Sequence, residues 1–266
     1  MLDINERIDK LPPLPNIIFK LQYIQNSNDH DHKKILELIE KDSFISTKIL
    51  QMANSKLFGF NNSVKTVSKA LNLYGTTFTI DIALSELIKN SIKVDLDIYN
   101  IQAKRFFDLS DYSCRLMLDW LDKEDIKLKK RLIFPCLIHE IGKFIISSSL
   151  NKNEKKEFLQ LSKESSDISS LERKFTGYSS SEVTSLLLKK WDFDKLLCED
   201  VFYIDSAINT KVSLILNVIK AIFNVNNPLS KQSIFLGIEK AKQYSLDDIK
   251  LQKCIEKILI NSMPKN

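Results

Sequence analysis

The sequence predicts an all-α fold, and three observations lead to this prediction. Apolar residues recur at intervals of three and four almost throughout the chain, which is the period of helices with one buried face. Strand-like alternation is scarce, and only five Gly and six Pro interrupt the 266 residues. Because 44% of the residues are apolar, the chain can bury a proper core, either as one large domain or as two lobes.

The first part of the chain predicts five helices after a rigid opening segment. Leu11, Pro12, Pro13, Leu14 and Pro15 form this segment, and its three prolines fix φ, so that a helix begins cleanly at Asn16. We expect helices over residues 16–26, 32–41, 43–54, 64–74 and 76–90. Asp31 is placed to cap the second helix, Ser63 to cap the fourth, and Gly75 to end the fourth.

The rest of the chain also predicts helices. We expect a long helix from Tyr99 to Trp120, an exposed lysine-rich link, and one central helix across Leu132–Ile146. Shorter helices should follow over residues 152–165, 171–175, 180–191 and 193–204, and a C-terminal set over residues 209–223, 230–242 and 245–262.

Composition limits the function classes. The net charge is +5, but basic and acidic residues alternate along helix faces, which predicts a solvated surface and weighs against a nucleic-acid partner. The four cysteines lie far apart without a CxxC pair, as expected of reduced thiols. The polar start of the chain is unlike a signal peptide, and no uncharged apolar run reaches the length of a membrane span. We therefore expect a cytoplasmic protein without membrane insertion.

One imidazole and one carboxylate interrupt the most apolar stretch of the chain. His139 and Glu140 stand between Leu137-Ile138 and Ile141, followed by Gly142 and Lys143. The other two histidines, His30 and His32, belong to a predicted turn, where we expect surface exposure. A lone His-Glu pair holds a metal ion weakly, so we expect His139 to be structural, donating a hydrogen bond to a carbonyl or a carboxylate, instead of a metal ligand.

The segment Leu137-Ile-His-Glu-Ile-Gly-Lys143 resembles the signature helix of the HD metal-dependent phosphohydrolase superfamily, with Glu140 in the place of an aspartate. A second resemblance, to the HDOD domain of bacterial signalling proteins, covers about residues 8–206. It rests on several motifs in the right order, which we expect to be structural. They comprise Leu11-Pro-Pro-Leu-Pro15, then Ala53-Asn54-Ser55, Gly59, Ser63 and Gly75, and finally Gly142 and Lys143 after the His139-Glu140 remnant.

The HDOD resemblance implies a two-lobed helical fold with additional C-terminal helices. Residues 8–92 should form an N-terminal helical lobe, and residues 93–206 a degenerate HD-like lobe. Residues 207–266 should form a helical extension packed on the HD-like lobe.

The resemblance also allows the metal-ligand positions of an HD enzyme to be checked. Leu109 falls where the family's first histidine is usual, and Ser180 falls where a later histidine is usual. Neither side chain suits a divalent ion of this kind. The nearby carboxylates of Asp108, Asp111, Glu182 and Asp205 are the groups that could substitute.

The sequence thus leaves competing hypotheses. The first is a non-catalytic signal-transduction scaffold that needs no cofactor and acts through a regulatory protein partner or a small ligand, in motility, chemotaxis or second-messenger control. A small nucleotide is one candidate for that ligand. The alternative is a residual metal-dependent phosphohydrolase acting on nucleotides or cyclic dinucleotides, for which His139 and Glu140 are the motif residues. A nucleic-acid binder is a third hypothesis, supported weakly by the net charge and by the basic segment from Lys123 to Arg131.

Overall fold

The chain folds as an all-α protein. A computed structural model describes residues 3–27, 31–54, 63–121, 125–165, 167–206 and 210–262, and these residues contain helices but no strand. The α-helices are α1 Ile4–Asp9, α2 Asn16–Asn26, α3 His32–Glu40, α4 Ser43–Ala53, α5 Val67–Tyr74, α6 Thr76–Ser91, α7 Ala103–Trp120, α8 Ile126–Ile138, α9 Gly142–Ser149, α10 Lys152–Ser162, α11 Ile168–Thr176, α12 Ser180–Lys190, α13 Lys195–Phe202, α14 Lys211–Ile222, α15 Lys231–Gln243 and α16 Asp248–Ser262.

The chain divides into two compact units. The smaller unit is Pro12–Lys93 and contains α2 to α6, while the larger unit combines Met1–Leu11 with Val94–Asn266. Residues 8–11, which we expected in the N-terminal lobe, therefore belong to the larger unit, together with the unpredicted helix α1. The ammonium of Lys190 donates to the backbone carbonyls of Ile8 and Asp9 at the end of α1, which ties this helix to α12.

The smaller unit is built from short helices with polar caps. Asp31 accepts hydrogen bonds from two backbone amides at the start of α3, as predicted. The predicted cap at Ser63 is wrong, because Thr66 caps α5 and the helix begins only at Val67. Gly75 ends α5 with a φ of 84° and directly precedes α6. This positive φ is costly for residues with a Cβ, so the glycine permits the sharp turn.

Asn54 links the end of α4 to the chain that leads into α5. Its amide nitrogen donates to the carbonyls of Leu50 and Val64, and its side-chain oxygen accepts from the Val64 amide at 2.7 Å. Asn54 is exposed, while the neighbouring Ala53 is buried and its carbonyl accepts from the Tyr74 hydroxyl. Among the other predicted motif residues, Leu14 is buried and Pro15 precedes α2. Ser55, Gly59 and His30 lie outside the described residues.

Two helices of the larger unit differ from the prediction. The long helix α7 begins at Ala103 instead of Tyr99, because a 3-10 turn at Asp97–Tyr99 ends with a left-handed residue, Asn100, at φ 49°. The predicted single central helix is two helices, α8 and α9, separated by a turn at residues 139–141. Apolar residues on both sides of the turn gave no periodic signal for this break.

The stretch Ile126–Ser149 is long and apolar enough to cross a membrane by length and composition. Within the protein, 89% of its most apolar window is buried. A buried core segment meets the same criteria as a membrane span, and packing inside the larger unit accounts for the apolar character of α8 and α9.

Candidate functional site

The turn between α8 and α9 places His139 and Glu140 beside α12. Gly142, the first residue of α9, makes this possible because a Cβ there would overlap the backbone carbonyl of Ser180 and lie 2.9 Å from the backbone nitrogen of Thr184. The Gly142 amide donates to the Thr184 hydroxyl at 2.9 Å. The close approach of α9 and α12 therefore brings residues 137–143, which resemble the HD signature helix, against the start of α12.

His139 is a buried, neutral imidazole. Its Nδ1 lies 3.1 Å from the backbone carbonyls of Pro135 and Cys136. Carbonyl oxygens only accept hydrogen bonds, so Nδ1 carries the ring proton and Nε2 is left without one. Burial lowers the pKa of His139, and this effect exceeds the opposing attraction of the Glu140 charge.

The residues predicted at metal-ligand positions do lie close to His139. Leu109 lines a small cavity of about 20 Å³ together with His139, Glu140 and Lys220. The Ser180 hydroxyl donates to Glu140 Oε1 at 3.2 Å. The structure thus brings Leu109 and Ser180 to the His139-Glu140 turn, but neither side chain offers a ligand that binds a divalent ion well.

A lysine from α9 occupies one side of Glu140. The Lys143 ammonium lies 3.2 Å from Glu140 Oε1, 2.7 Å from Glu172 Oε1 and 3.0 Å from the Ser180 hydroxyl. Its three protons are therefore matched by three acceptors. Glu172 is fully buried and also accepts from the Tyr99 hydroxyl and the Ser180 amide.

A second lysine reaches the same carboxylate from α14. The Lys220 ammonium lies 2.7 Å from Asp205 Oδ2, 3.6 Å from Glu140 Oε1 and 2.8 Å from the Ser181 hydroxyl. We call Lys143, Lys220, Glu140, Glu172 and Asp205 the buried ion cluster. It contains two cations and three carboxylates, all largely buried.

The ion pairs favour the charged forms of Glu140, Asp205 and Lys220. Burial alone would raise the pKa of Glu140, but the ammonium groups of Lys143 and Lys220 outweigh it and lower that pKa. Burial of Asp205 is likewise outweighed by Lys220, which holds the pKa of Asp205 far below its usual range. The Lys220 pKa is raised, because Asp205 and Glu140 outweigh the cost of burying the ammonium.

The other carboxylates considered as substitute ligands have different surroundings. Glu182 forms a two-point ion pair with Arg173, at 3.0 and 3.1 Å, and accepts from the Ser179 amide in a capping box. Asp108 and Asp111 lie on α7 but do not line the small cavity beside His139. Of the four candidates, only Asp205 joins the buried ion cluster.

The donor set does not fit a divalent metal ion. Glu140 and Asp205 are each bound by a lysine ammonium, which leaves the Nε2 of His139 as a lone nitrogen ligand. Within the residues described, no three His, Cys, Asp or Glu side chains converge in a way that could hold a metal ion. Catalysis in a metal site requires several ligands that fix the ion and an open position for water.

Sequence reasoning missed Lys220 and Glu172. Both are single charged residues within amphipathic helices, and nothing in their local pattern separates them from exposed charges. Lys143 was noted only as a motif position, although its side chain is 2% exposed. Burial of these three charges depends on contacts with residues that are distant in sequence, such as Lys143 with Glu172, Tyr99 with Glu172 and Lys220 with Glu140.

The fold is similar to solved structures of HDOD and HD-related proteins. A proposed phosphohydrolase from Shewanella amazonensis SB2B matches with a TM-score of 0.71 and 18% identity, over 96% of this chain and 93% of that chain. An HDOD domain protein with unknown function from Geobacter sulfurreducens matches with a TM-score of 0.70 and 13% identity, over 97% and 94% of the two chains.

A third similar structure is a proposed signal transduction protein from Marinobacter aquaeolei VT8. It matches with a TM-score of 0.66 and 14% identity, over 97% of this chain and 59% of that chain. At these identities the likeness concerns the fold alone. No curated protein shows significant sequence similarity to the chain.

Family membership rests on the sequence itself. The HDOD domain matches residues 11–207, which include α2 to α13 and the His139-Glu140 turn. Helices α14 to α16 follow this match, and α14 supplies Lys220 to the buried ion cluster. By this match over most of its length, the chain belongs to the HDOD domain family.

Proposed function

We propose that the protein is a non-catalytic regulatory module of a bacterial cytoplasm, which acts through a protein partner or a small ligand. The observation that carries this proposal is the pair of lysine ammonium groups, Lys143 and Lys220, on the carboxylate of Glu140. The HDOD family and the fold shared with a proposed signal transduction protein support the same function.

The energetics of the buried ion cluster argue against replacement of the lysines by a metal ion. A divalent ion at Glu140 and Asp205 would have to displace both ammonium groups or lie beside them. Displacement would leave Lys220 buried without a carboxylate partner, at a cost of several kcal/mol, and would leave Lys143 with Glu172 alone. Coordination by a single imidazole nitrogen does not offset this loss of free energy, because metal affinity depends on several convergent ligands.

The alternative function is a residual phosphohydrolase, and one observation favours it. His139 holds its proton on Nδ1, so its Nε2 is in the state that binds metal ions. Glu140 lies next to it in the chain and lines the same small cavity. A hydrolase would therefore need His139 for metal binding and for activity.

Metal analysis and phosphodiesterase assays separate the two functions. The full chain, purified without chelator, should contain far less than one equivalent of transition metal. Added Mn²⁺ or Mg²⁺ should produce no hydrolysis of nucleotides or cyclic dinucleotides that is lost in His139→Ala. His32→Ala is the matched control, because His32 is an exposed histidine on α3. Near-stoichiometric metal with activity lost only in His139→Ala would overturn the proposal.

A further inference from the structure

The larger unit contains a second cavity, next to the buried ion cluster. It has a volume of about 390 Å³, which lies within the range of roughly 300 to 1,000 Å³ typical of small-molecule sites. The N-terminus of α11 and the facing sides of α14 and α15 line it, with polar and apolar groups mixed. We call it the α11–α14–α15 cavity.

We propose that the α11–α14–α15 cavity binds a small molecule with one carboxylate or phosphate group, held between Lys240 and the N-terminus of α11. The inference deepens the proposed function, because it assigns a site and a ligand class to the small-ligand input. Lys240 and Tyr244 belong to α15 and the turn that follows it, beyond the residues matched by the HDOD domain.

Lys240 presents an ammonium to the cavity, and the charges of Asp205 and Asp167 attract it from beyond ion-pair distance. Its ammonium donates to Asn217 Oδ1 at 2.7 Å, and no carboxylate lies within ion-pair distance among the described residues. The other cations that line the cavity differ in this respect, since Lys143, Lys220 and Arg173 all have carboxylate partners. Lys240 is half-buried, so an anion beside it would gain a charge-assisted hydrogen bond in a partly desolvated place.

The wall of the cavity holds the Lys240 ammonium in position. Asn217 Oδ1 accepts from both Lys240 and the Tyr244 hydroxyl, while its amide nitrogen donates to the Ile204 carbonyl at 2.7 Å. Asn217 is thereby fixed, and it holds one of the three ammonium protons. The remaining two protons have no partner within the described part of the chain, which leaves them for a ligand.

The N-terminus of α11 adds a second group of hydrogen-bond donors to the lining of the cavity. Ile168, Ser169 and Ser170 line the cavity. The side chain of the N-cap residue, Asp167, accepts a hydrogen bond from the Ser170 backbone amide. The amides of Ile168 and Ser169 belong to the first turn, where helix amides have no partner within the helix. Such amides bind anions, and the helix dipole favours negative charge there.

The acidic groups around the cavity limit the charge of the ligand. Glu140 and Asp205 are held by the lysines of the buried ion cluster. The two carboxylate oxygens of Asp167 accept hydrogen bonds from the amide and the hydroxyl of Ser170, and the negative charge of Asp167 remains. The single positive charge of Lys240 therefore matches one anionic group, whereas Asp167 would repel a polyanion more strongly than a ligand with one such group.

Calorimetric titration of the full chain tests the site with three probes: inorganic phosphate, adenosine 5′-monophosphate and pyruvate. We expect at least one probe to bind with a Kd of about 1 mM or tighter. Lys240→Gln should weaken that binding by about tenfold or more, since it removes a charged hydrogen-bond donor. Lys240→Met keeps the aliphatic stem and serves if Lys240→Gln does not fold, as judged by circular dichroism.

Lys242→Gln is the matched control, because Lys242 is an exposed cation on the same helix that pairs with Glu239. Its affinity for the probe should equal that of the wild type. Binding of phosphate and the nucleotide without pyruvate identifies a phosphate ligand, and binding of pyruvate alone identifies a carboxylate ligand. Absence of binding for all three probes, or binding equally weakened by both substitutions, overturns the proposed site. Metal-dependent hydrolysis would instead overturn the non-catalytic function and leave the anion site intact.

Discussion

Lys220 of α14 forms a buried ion pair with Asp205, its ammonium 2.7 Å from Asp205 Oδ2. Asp205 lies inside the segment that matches the HDOD domain, whereas Lys220 lies beyond its end. The same ammonium approaches Glu140 at 3.6 Å. The C-terminal helices are thus joined to the HD-like segment by charge as well as by apolar packing, and the remnant of the HD motif depends on a residue outside the family match.

Removal of the Lys220 ammonium should destabilise the protein strongly. Lys220→Met leaves Asp205 and Glu140 with less compensation in a largely buried place, and the loss of one partner of a buried ion pair costs about 3 to 5 kcal/mol. Urea denaturation followed by circular dichroism measures this loss. Lys211→Met is the control, because Lys211 lies on the same helix and pairs with Asp125 at the surface. The control should lose at most about 1 kcal/mol, and equal losses in the two variants would contradict a special role for Lys220.

Asp81 should make the smaller unit less stable as the pH rises. The residue is 1% exposed, its Oδ1 accepts from Gln25 at 2.6 Å, and its Oδ2 has no hydrogen-bond partner among the described residues. Burial raises the pKa of Asp81 well above its ordinary value, although the hydrogen bond from Gln25 acts in the opposite direction. The folded chain therefore binds this proton more tightly than the unfolded chain.

The stability that protonated Asp81 contributes is fully present at pH values below its pKa in the unfolded chain, about 3.9. It is lost as the pH rises through the pKa of Asp81 in the folded chain. Asp81→Asn should consequently raise the free energy of unfolding at neutral pH relative to the wild type, with an advantage that shrinks as the pH approaches about 4. Thermal unfolding across this pH range measures the difference. Glu37→Gln, at an exposed acid in the same unit, should show no such trend. A wild type that is more stable than Asp81→Asn at neutral pH would refute the assignment.

Gly142→Ala should disturb the packing of α9 against α12. The new Cβ would overlap the Ser180 carbonyl and crowd the Thr184 backbone, and neither helix backbone can move freely in a packed core. We expect a loss of about 1 to 3 kcal/mol, and a larger loss for Gly142→Val, measured by urea denaturation. Lys152→Ala is the control at the exposed first residue of α10. Full stability of both Gly142 variants would show that the two helices separate at low cost.

Helix positions were largely predictable because the signals for helices are local. Periodic apolar residues located α2, α3 and α4 closely, and the cap at Asp31 followed from residue type and position. The turn at residues 139–141 was not predictable in this way. Its neighbours are apolar on every side, and the break allows Gly142 to approach α12, a contact between residues about forty positions apart.

The sequence by itself determined the all-α fold, the HDOD resemblance and the fact that His139 is the one histidine after His32. These conclusions depend on residue type, local spacing and the count of histidines, all of which the amino-acid sequence gives directly. Only the tertiary structure decided that Lys143 and Lys220 share the carboxylate of Glu140, and that Lys240 faces a cavity without an ion-pair partner among the described residues. The reason is that an amphipathic helix tolerates lysine on any partly exposed face. Whether such a charge meets water, a carboxylate or a cavity depends on helices that are distant in sequence and adjacent in space.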